Sequence, residues 1–196
     1  MTLLLATGSL ALGLLIGAAA GLWGGWLDAA LMRLADVFLA FPRLILAIAI
    51  AAALTSGLWT AVIAIALTGW PPYARVARSE MAALRQAEFI QAAKALGVSR
   101  LRLLLRHALP LCLPSAVVRA ALDAPGIVLI VSGLGFLGLG LPPPAPEWGA
   151  MVAEGRAIVF EAWWVSTLPG VMILLLSLGF NFLGDALRDV VDPGVK

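Results

Sequence analysis

From its first residue the chain alternates long apolar runs with short clusters of charge. Met1 to Leu27 carries no charged side chain. Leu34 to Leu54 opens around Asp36 and Arg43, just after Arg33, and then becomes almost pure Ala, Ile and Leu. Leu58 to Tyr73, Leu113 to Leu139 (interrupted only by Arg119 and Asp123) and Ala162 to Leu183 follow. A membrane-spanning helix needs about 20 mostly apolar residues to cross a hydrocarbon layer of about 30 Å, so the pattern predicts an all-α polytopic membrane protein with about five transmembrane helices. Ala18 to Ala20 offer small residues of the kind found where a secretory leader is cleaved. No basic segment precedes them, however, and the apolar run continues to Trp26, which makes it a span. Pro42 predicts a kink in the second span. Thr55, Ser56 and Gly57 predict a tight hairpin into the third, which is expected to end at Pro71 and Pro72. An odd number of spans puts the termini on opposite sides.

Composition agrees with a lipid setting: 62% of residues are hydrophobic, 12% are charged, and the mean hydropathy is +1.03. A net charge of +2 is too small to suggest a nucleic-acid partner. One cysteine, Cys112, and one histidine, His107, leave no basis for a disulfide or a His/Cys metal site. Charge does set orientation. Eleven of the thirteen Lys and Arg residues fall on one side, seven from Arg75 to Arg106 together with Arg33, Arg43, Arg188 and Lys196, while the opposite side holds only Arg156 and Arg119 lies within the fourth span. Basic loops stay in the cytoplasm, which predicts an external N-terminus and a cytoplasmic C-terminus. Trp163 and Trp164 at the outer start of the last span fit an aromatic belt.

Residues 80–109 predict a cytoplasmic helical hairpin. Glu80 to Leu96 contains no Pro or Gly and is rich in alanine, so one helix is expected there. Phe89, Ala92, Ala93 and Leu96 share one face of it. Gly97 is placed to end the helix with positive φ, and Ser99 to cap a second helix that runs to about His107, with Leu101, Leu104, Leu105 and Ala108 on one face. Two uses are open: a charged linker on lipid headgroups, or a docking element whose small Ala-Ala face enters a partner's groove.

The stretch Gln91-Ala92-Ala93-Lys94-Ala95-Leu96-Gly97, followed after nine residues by His107-Ala108-Leu109-Pro110, resembles the EAA motif of the membrane-spanning subunits of binding-protein-dependent ABC importers. GGWLDAALMRLADVFLAFP (Gly24 to Pro42), WPPYARVAR (Trp70 to Arg78), GLGFLGLG (Gly133 to Gly140), WGAMVAEGR (Trp148 to Arg156) and NFLGDALRDVVDP (Asn181 to Pro193) are similar to the branch importing dipeptides, oligopeptides and nickel. The resemblance implies a permease subunit that forms part of the path for peptides or a related solute. It also implies a second related permease, two cytoplasmic ATPases and an external solute-binding protein as partners. Glu88, Gln91, Ala92, Ala93, Gly97, His107, Leu109 and Pro110 are then the residues that couple to an ATPase. Gln91 stands where the family has glutamate, so an ion pair at that position is replaced by a hydrogen bond. Members of this branch begin with another span and a polar external segment. Residues 1–196 would form a single transmembrane domain lacking that first span.

No phosphate-cradling Gly-x-x-x-x-Gly-Lys-Ser/Thr occurs, so no cofactor is expected on this chain, and ATP and Mg would be used by the partner ATPases. Arg119 and Asp123, four residues apart within the fourth span, are expected to pair with each other, as part of the translocation path, at a permease interface or as a structural pair. Gly133, Gly135, Gly138 and Gly140 suggest a small-residue packing face or a gate. Pro142 to Pro146 predict an extended segment, Trp148 to Glu161 a short external helix, and Cys112 a small apolar filler. The rival readings are an ion-coupled carrier or small intramembrane enzyme, which needs a set of buried polar groups, and a structural scaffold, which leaves the hairpin unexplained.

Overall fold

The computed structural model describes residues 2–54, 57–142 and 144–191, all helix and connecting turns. α1 (Thr2–Trp23) leads into α2 (Gly25–Leu39) and α3 (Arg43–Ala53). α4 (Leu58–Leu84) is followed by two short helices, α5 (Glu88–Ala95) and α6 (Arg100–Leu103). A wide turn, Leu104–Ala108, joins α6 to α7 (Leu109–Phe136), after which come α8 (Trp148–Gly155) and α9 (Trp164–Val191). The Thr55–Ser56 hairpin expected between spans lies outside the described residues.

The centre of the molecule is the pair α1 and α4. Gly13, Gly17 and Gly21 recur every four residues along α1, and a Cβ on them would collide with Trp70 and Tyr73, with the Ala74 carbonyl, and with Arg78 and Met81 respectively. Both sequences ascend together, so the helices run parallel with backbones nearly touching, as small-x-x-x-small spacing permits in membranes. This contact explains why α4 does not end at Pro71 and Pro72 but runs through both. Hydroxyls serve nearby carbonyls: Thr68 Oγ1 donates to Ala64 O (2.8 Å) and Ser9 Oγ to Ile65 O (3.1 Å).

Among the described residues three helices are long and apolar enough to cross a membrane, within Leu4–Trp23, Leu109–Phe136 and Trp164–Val191, and four if the bent pair α2 and α3 counts as one. Apolarity alone thus marks three or four of the about five expected. The second span is a pair of helices bent by 91° at Ala40–Pro42, and α3, with 11 residues, reaches only about 16 Å. α4 is not among the helices so marked, since it holds Pro71 and Pro72 and carries Arg75, Arg78 and Glu80 in its second half, yet it packs along the length of α1. α7 runs antiparallel to α1: Cys112 and Ala116 pack with Leu14, Ala18 and Leu22, while Ile127 and Ile130 pack with Leu5 and Ala6. Cys112 is buried in that cluster, as a filler residue should be. α9 packs antiparallel on α7 through Gly184 and leaves most of its apolar surface, including Leu168, Leu175 and Phe182, exposed.

Candidate functional site

The hairpin is built differently from its sequence pattern. α4 stops at Leu84, three turn residues follow, and α5 begins at Glu88, so Glu80 to Leu96 is not one helix. Propensity favours continuation, but burial overrides it. The turn brings Ile90 to 1% exposure, and the Gln91 amide donates from Nε2 to the Gln86 carbonyl (3.0 Å), which the break would otherwise orphan. Gln91 thus holds the turn.

On α5 the expected face is turned away from the body. Phe89 and Ala92 are exposed and Leu96 is 84% exposed, whereas Ala93 is half-buried. Glu88 is exposed in the first turn, where its charge suits the helix dipole. Gly97 ends α5 at φ +79°. Its N–H donates to Lys94 O (3.0 Å) and the Val98 N–H to Ala93 O (3.1 Å), the paired bonds of a Schellman ending. Ser99 Oγ accepts from the Arg102 N–H (3.4 Å), the cap expected of it.

The second arm departs from expectation. Leu103 and Leu104 are buried while Leu101 and Leu105 are exposed, so the inward face is rotated from the one the spacing suggested. Nor does the arm end near His107. Leu104–Ala108 is a π turn, with the Leu109 N–H bonded to Leu104 O, and it joins α6 to α7 in a continuous rod. A widened turn lets the chain pass Pro110, whose ring would clash with the carbonyl four residues earlier. His107 and Pro110 are exposed on this rod and Leu109 packs inward beside the α1–α7 cluster.

Within the helix bundle, Asp123 does not pair with Arg119. Arg43 Nη1 donates to both Asp123 oxygens (2.9 and 2.8 Å), and Tyr73 Oη donates to Oδ2 (2.9 Å). α3, α4 and α7 are tied at one point, and Gly69 leaves room for the guanidinium. The i,i+4 expectation fails because a buried carboxylate takes the arginine that can approach it inside the bundle. Arg119 points instead into a groove of about 390 Å³ shared with Val76, Leu122 and Arg188. Two further pairs, Arg78 with Asp28 and Arg75 with Asp36 (both 2.6 Å), fasten α2 along α4.

The four glycines in the last turn of α7 and just beyond it are not one packing face. Gly138, at φ +75°, ends α7, and Gly133 faces Leu44. Gly135 and Gly140 make room for the Glu147 carboxylate, which is 9% exposed, accepts the Leu141 N–H at Oε2 (3.0 Å) and has a buried, unpartnered Oε1. Burial pushes this carboxyl above its ordinary value, and the Leu141 bond offsets part of the rise. The helix that follows is shorter than expected: α8 ends at Gly155 and only a 3-10 turn, Arg156–Ile158, continues it. Among the described residues no three His, Cys, Asp or Glu side chains converge as metal ligands.

Residues 13–196 match the family model described as binding-protein-dependent transport system inner membrane component. The chain belongs to this family. It is 45% identical over 182 residues to the probable D,D-dipeptide transport system permease protein DdpC of Escherichia coli, covering 93% of this chain and 61% of that protein. It is 44% identical over 190 residues to the dipeptide transport system permease protein DppC of Alkalihalophilus pseudofirmus, covering 97% and 62%. The glutathione transport system permease protein GsiD of Shigella flexneri is 44% identical over 172 residues, covering 88% and 57%. The chain thus spans about three-fifths of the length of these relatives. A chain of the inward-facing MetNI methionine ABC transporter shares the fold, with a TM-score of 0.69 at 21% identity over 97% of this chain and 92% of that one. Within this family frame, Arg43, Tyr73 and Glu147 are the polar residues that sequence reasoning did not single out. Their signals were an arginine directly after Pro42, a tyrosine after two prolines and an acid directly after Pro146.

Proposed function

We propose that this chain is the permease subunit of an ATP-driven importer of peptides or closely related solutes, with α5 as the element that docks into a cytoplasmic ATPase. What carries the reading is α5: Phe89, Ala92 and Leu96 form an apolar face turned away from the body, beside a turn fixed by Gly97. An exposed apolar helix face of this size suits a partner's groove. Family membership and the dipeptide permeases among its relatives support the solute class. ATP and Mg act in two ATPase subunits. A second related permease completes the path, and a binding protein delivers solute from outside. Arg119, in its groove with Arg188, is the member of the expected pair available to the path or to the second permease, while Asp123 is committed to holding the bundle. Transport is by alternating access, with ATPase closure displacing α5 and the helices on either side of it.

The N-terminus is external and the C-terminus cytoplasmic. The basic asymmetry supports this, and parallel α1 and α4 with antiparallel α7 keep Arg75 to Arg106 on one side. Two experiments test the proposal. Ala92→Trp overfills the docking face without touching the body, and Gly97→Val forces a β-branched residue into positive φ at a cost of about 1–2 kcal/mol. Both should reach the membrane at near-normal level but lose the ATPase on purification or fail to couple hydrolysis to uptake. Normal retention and normal uptake in both would remove α5 from the coupling role. Impermeant thiol labelling, with Cys112 replaced, should modify Glu154→Cys and spare Arg85→Cys in intact cells, and the opposite pattern inverts the topology.

A further inference from the structure

At the end of α1, where the apolar run stops, Leu22 and Trp23 form one wall of a cavity of about 390 Å³ whose other walls are Arg85, Gln91 and Lys94. Arg85 arrives from the end of α4, and its guanidinium lies over the α1–α2 turn so closely that a Cβ on Gly24, at φ +66°, would strike Nη1. Lys94 arrives from α5. It stands two residues from Ala92, on the opposite side of the helix from the exposed apolar face. Neither cation forms an ion pair among the described residues. Gln91 spends one amide hydrogen on the Gln86 carbonyl, and the amide carries a second. Close by in the chain, Trp26 is 81% exposed, so this rim of the molecule has the aromatic character of a membrane interface.

We propose that this cavity binds the headgroup of an anionic phospholipid. Arg85 and Lys94 meet the phosphate, the Gln91 amide adds a donor, and Leu22 and Trp23 cover the glycerol and the first acyl carbons. The depth selects a lipid over a soluble anion, because the apolar wall is continuous with the end of a helix long and apolar enough to span the membrane. The side of α5 selects it over an acidic protein partner, since the cavity faces the body and not the exposed face. The assignment depends on neither the docking role of α5 nor the orientation of the chain. Where α5 does dock, a seated headgroup would hold its inner face at the membrane surface.

Native mass spectrometry of the purified full chain, titrated with phosphatidylglycerol or phosphatidylcholine, tests the site. One phosphatidylglycerol should bind more tightly than any phosphatidylcholine, and Arg85→Gln/Lys94→Gln should weaken it about tenfold or more. Arg102→Gln/Arg106→Gln removes the same charge from neighbouring helix without touching the cavity and should leave that lipid bound. Gly24→Ala, which displaces the Arg85 head, should give an intermediate loss. Equal binding of the two lipids, an undiminished preference in the cavity variant or an equal loss in the control overturns the site. Displacement of the bound lipid by millimolar inorganic phosphate would overturn the lipid assignment in favour of a soluble phosphate.

Discussion

Removing the Asp123 carboxylate should unsettle the helix bundle more than removing either the Tyr73 hydroxyl or the Arg119 charge. In the folded chain Asp123 accepts two contacts from Arg43 and one from Tyr73, and the two charged side chains are 21% and 16% exposed. Arg43 has no reserve: its Nε and Nη2 are already buried without a partner among the described residues. Asp123→Ala therefore leaves a guanidinium with no counter-charge and none of its present bonds, which for a buried pair costs about 3–5 kcal/mol; residual exposure places the estimate at the low end, about 3 kcal/mol. Tyr73→Phe removes one bond to a charged acceptor, about 1–2 kcal/mol. In a Tyr73→Phe background, replacing both partners, Arg43→Leu with Asp123→Leu, leaves no orphan and should fall within about 1 kcal/mol of that background, so the two sites should couple by at least about 2 kcal/mol. Unfolding in mixed micelles, followed by tryptophan fluorescence, measures each value. Arg119→Gln serves as the contrast, since it should leave the Asp123 contacts intact. If Asp123→Ala costs less than about 0.5 kcal/mol, or if Arg119→Gln couples to Asp123 as strongly as Arg43→Leu does, the three-helix tie is wrong and the local pair is right.

Glu147 predicts a pH slope. Its folded-state carboxyl titrates above the ordinary 4.5, so its contribution is fully present below that value and is lost as pH rises through the raised folded value. Glu147→Gln should flatten this part of the stability-versus-pH curve relative to the parent, and identical slopes would contradict the burial argument. Gly17→Val should separate α1 from α4, because its side chain meets the Ala74 backbone and not a movable side-chain end; loss of stability of about 3 kcal/mol or failure to fold is expected, against no loss, or a gain of up to about 1 kcal/mol, for Gly179→Ala, where a Cβ meets open space. The same unfolding assay decides it, and equal effects would refute the close approach.

What could be read directly from the sequence was local. Gly97 as a left-handed helix ending and Ser99 as a cap depend on neighbours a turn away and stand as read, and of the face Phe89, Ala92, Ala93 and Leu96 all but the half-buried Ala93 are exposed. The break at Arg85–Ala87 carries no local mark, since nothing in an alanine-rich helix announces that Ile90 will be wanted in the core. Likewise the partner of Asp123 lies 80 residues away, beyond any spacing rule, and the only nearby cation was the wrong one. The passage of α4 through two prolines was hidden because its cause is on α1. That cause did have a signature: Gly13, Gly17 and Gly21 at intervals of four announce a close helix contact, though not the helix that fills it.

These long-range contacts also decide how a movement of α5 can reach the bundle. Its first arm hangs from α4, which carries Tyr73, about 11 residues and three turns above Leu84. Its second arm is the rod of α6, the π turn and α7, which carries Asp123. The two arms, separated at Gly97, therefore meet again at the Tyr73–Asp123 bond, and Arg43 adds α3 to the same point. A displacement of α5 that moved one arm alone would have to stretch that bond in a poorly solvated interior. Moving both arms together keeps the bond and carries α3 along. The cheaper motion is thus a rigid rotation of α3, α4 and α7 as one body, with α1, whose Gly13, Gly17 and Gly21 seat it against α4, carried along.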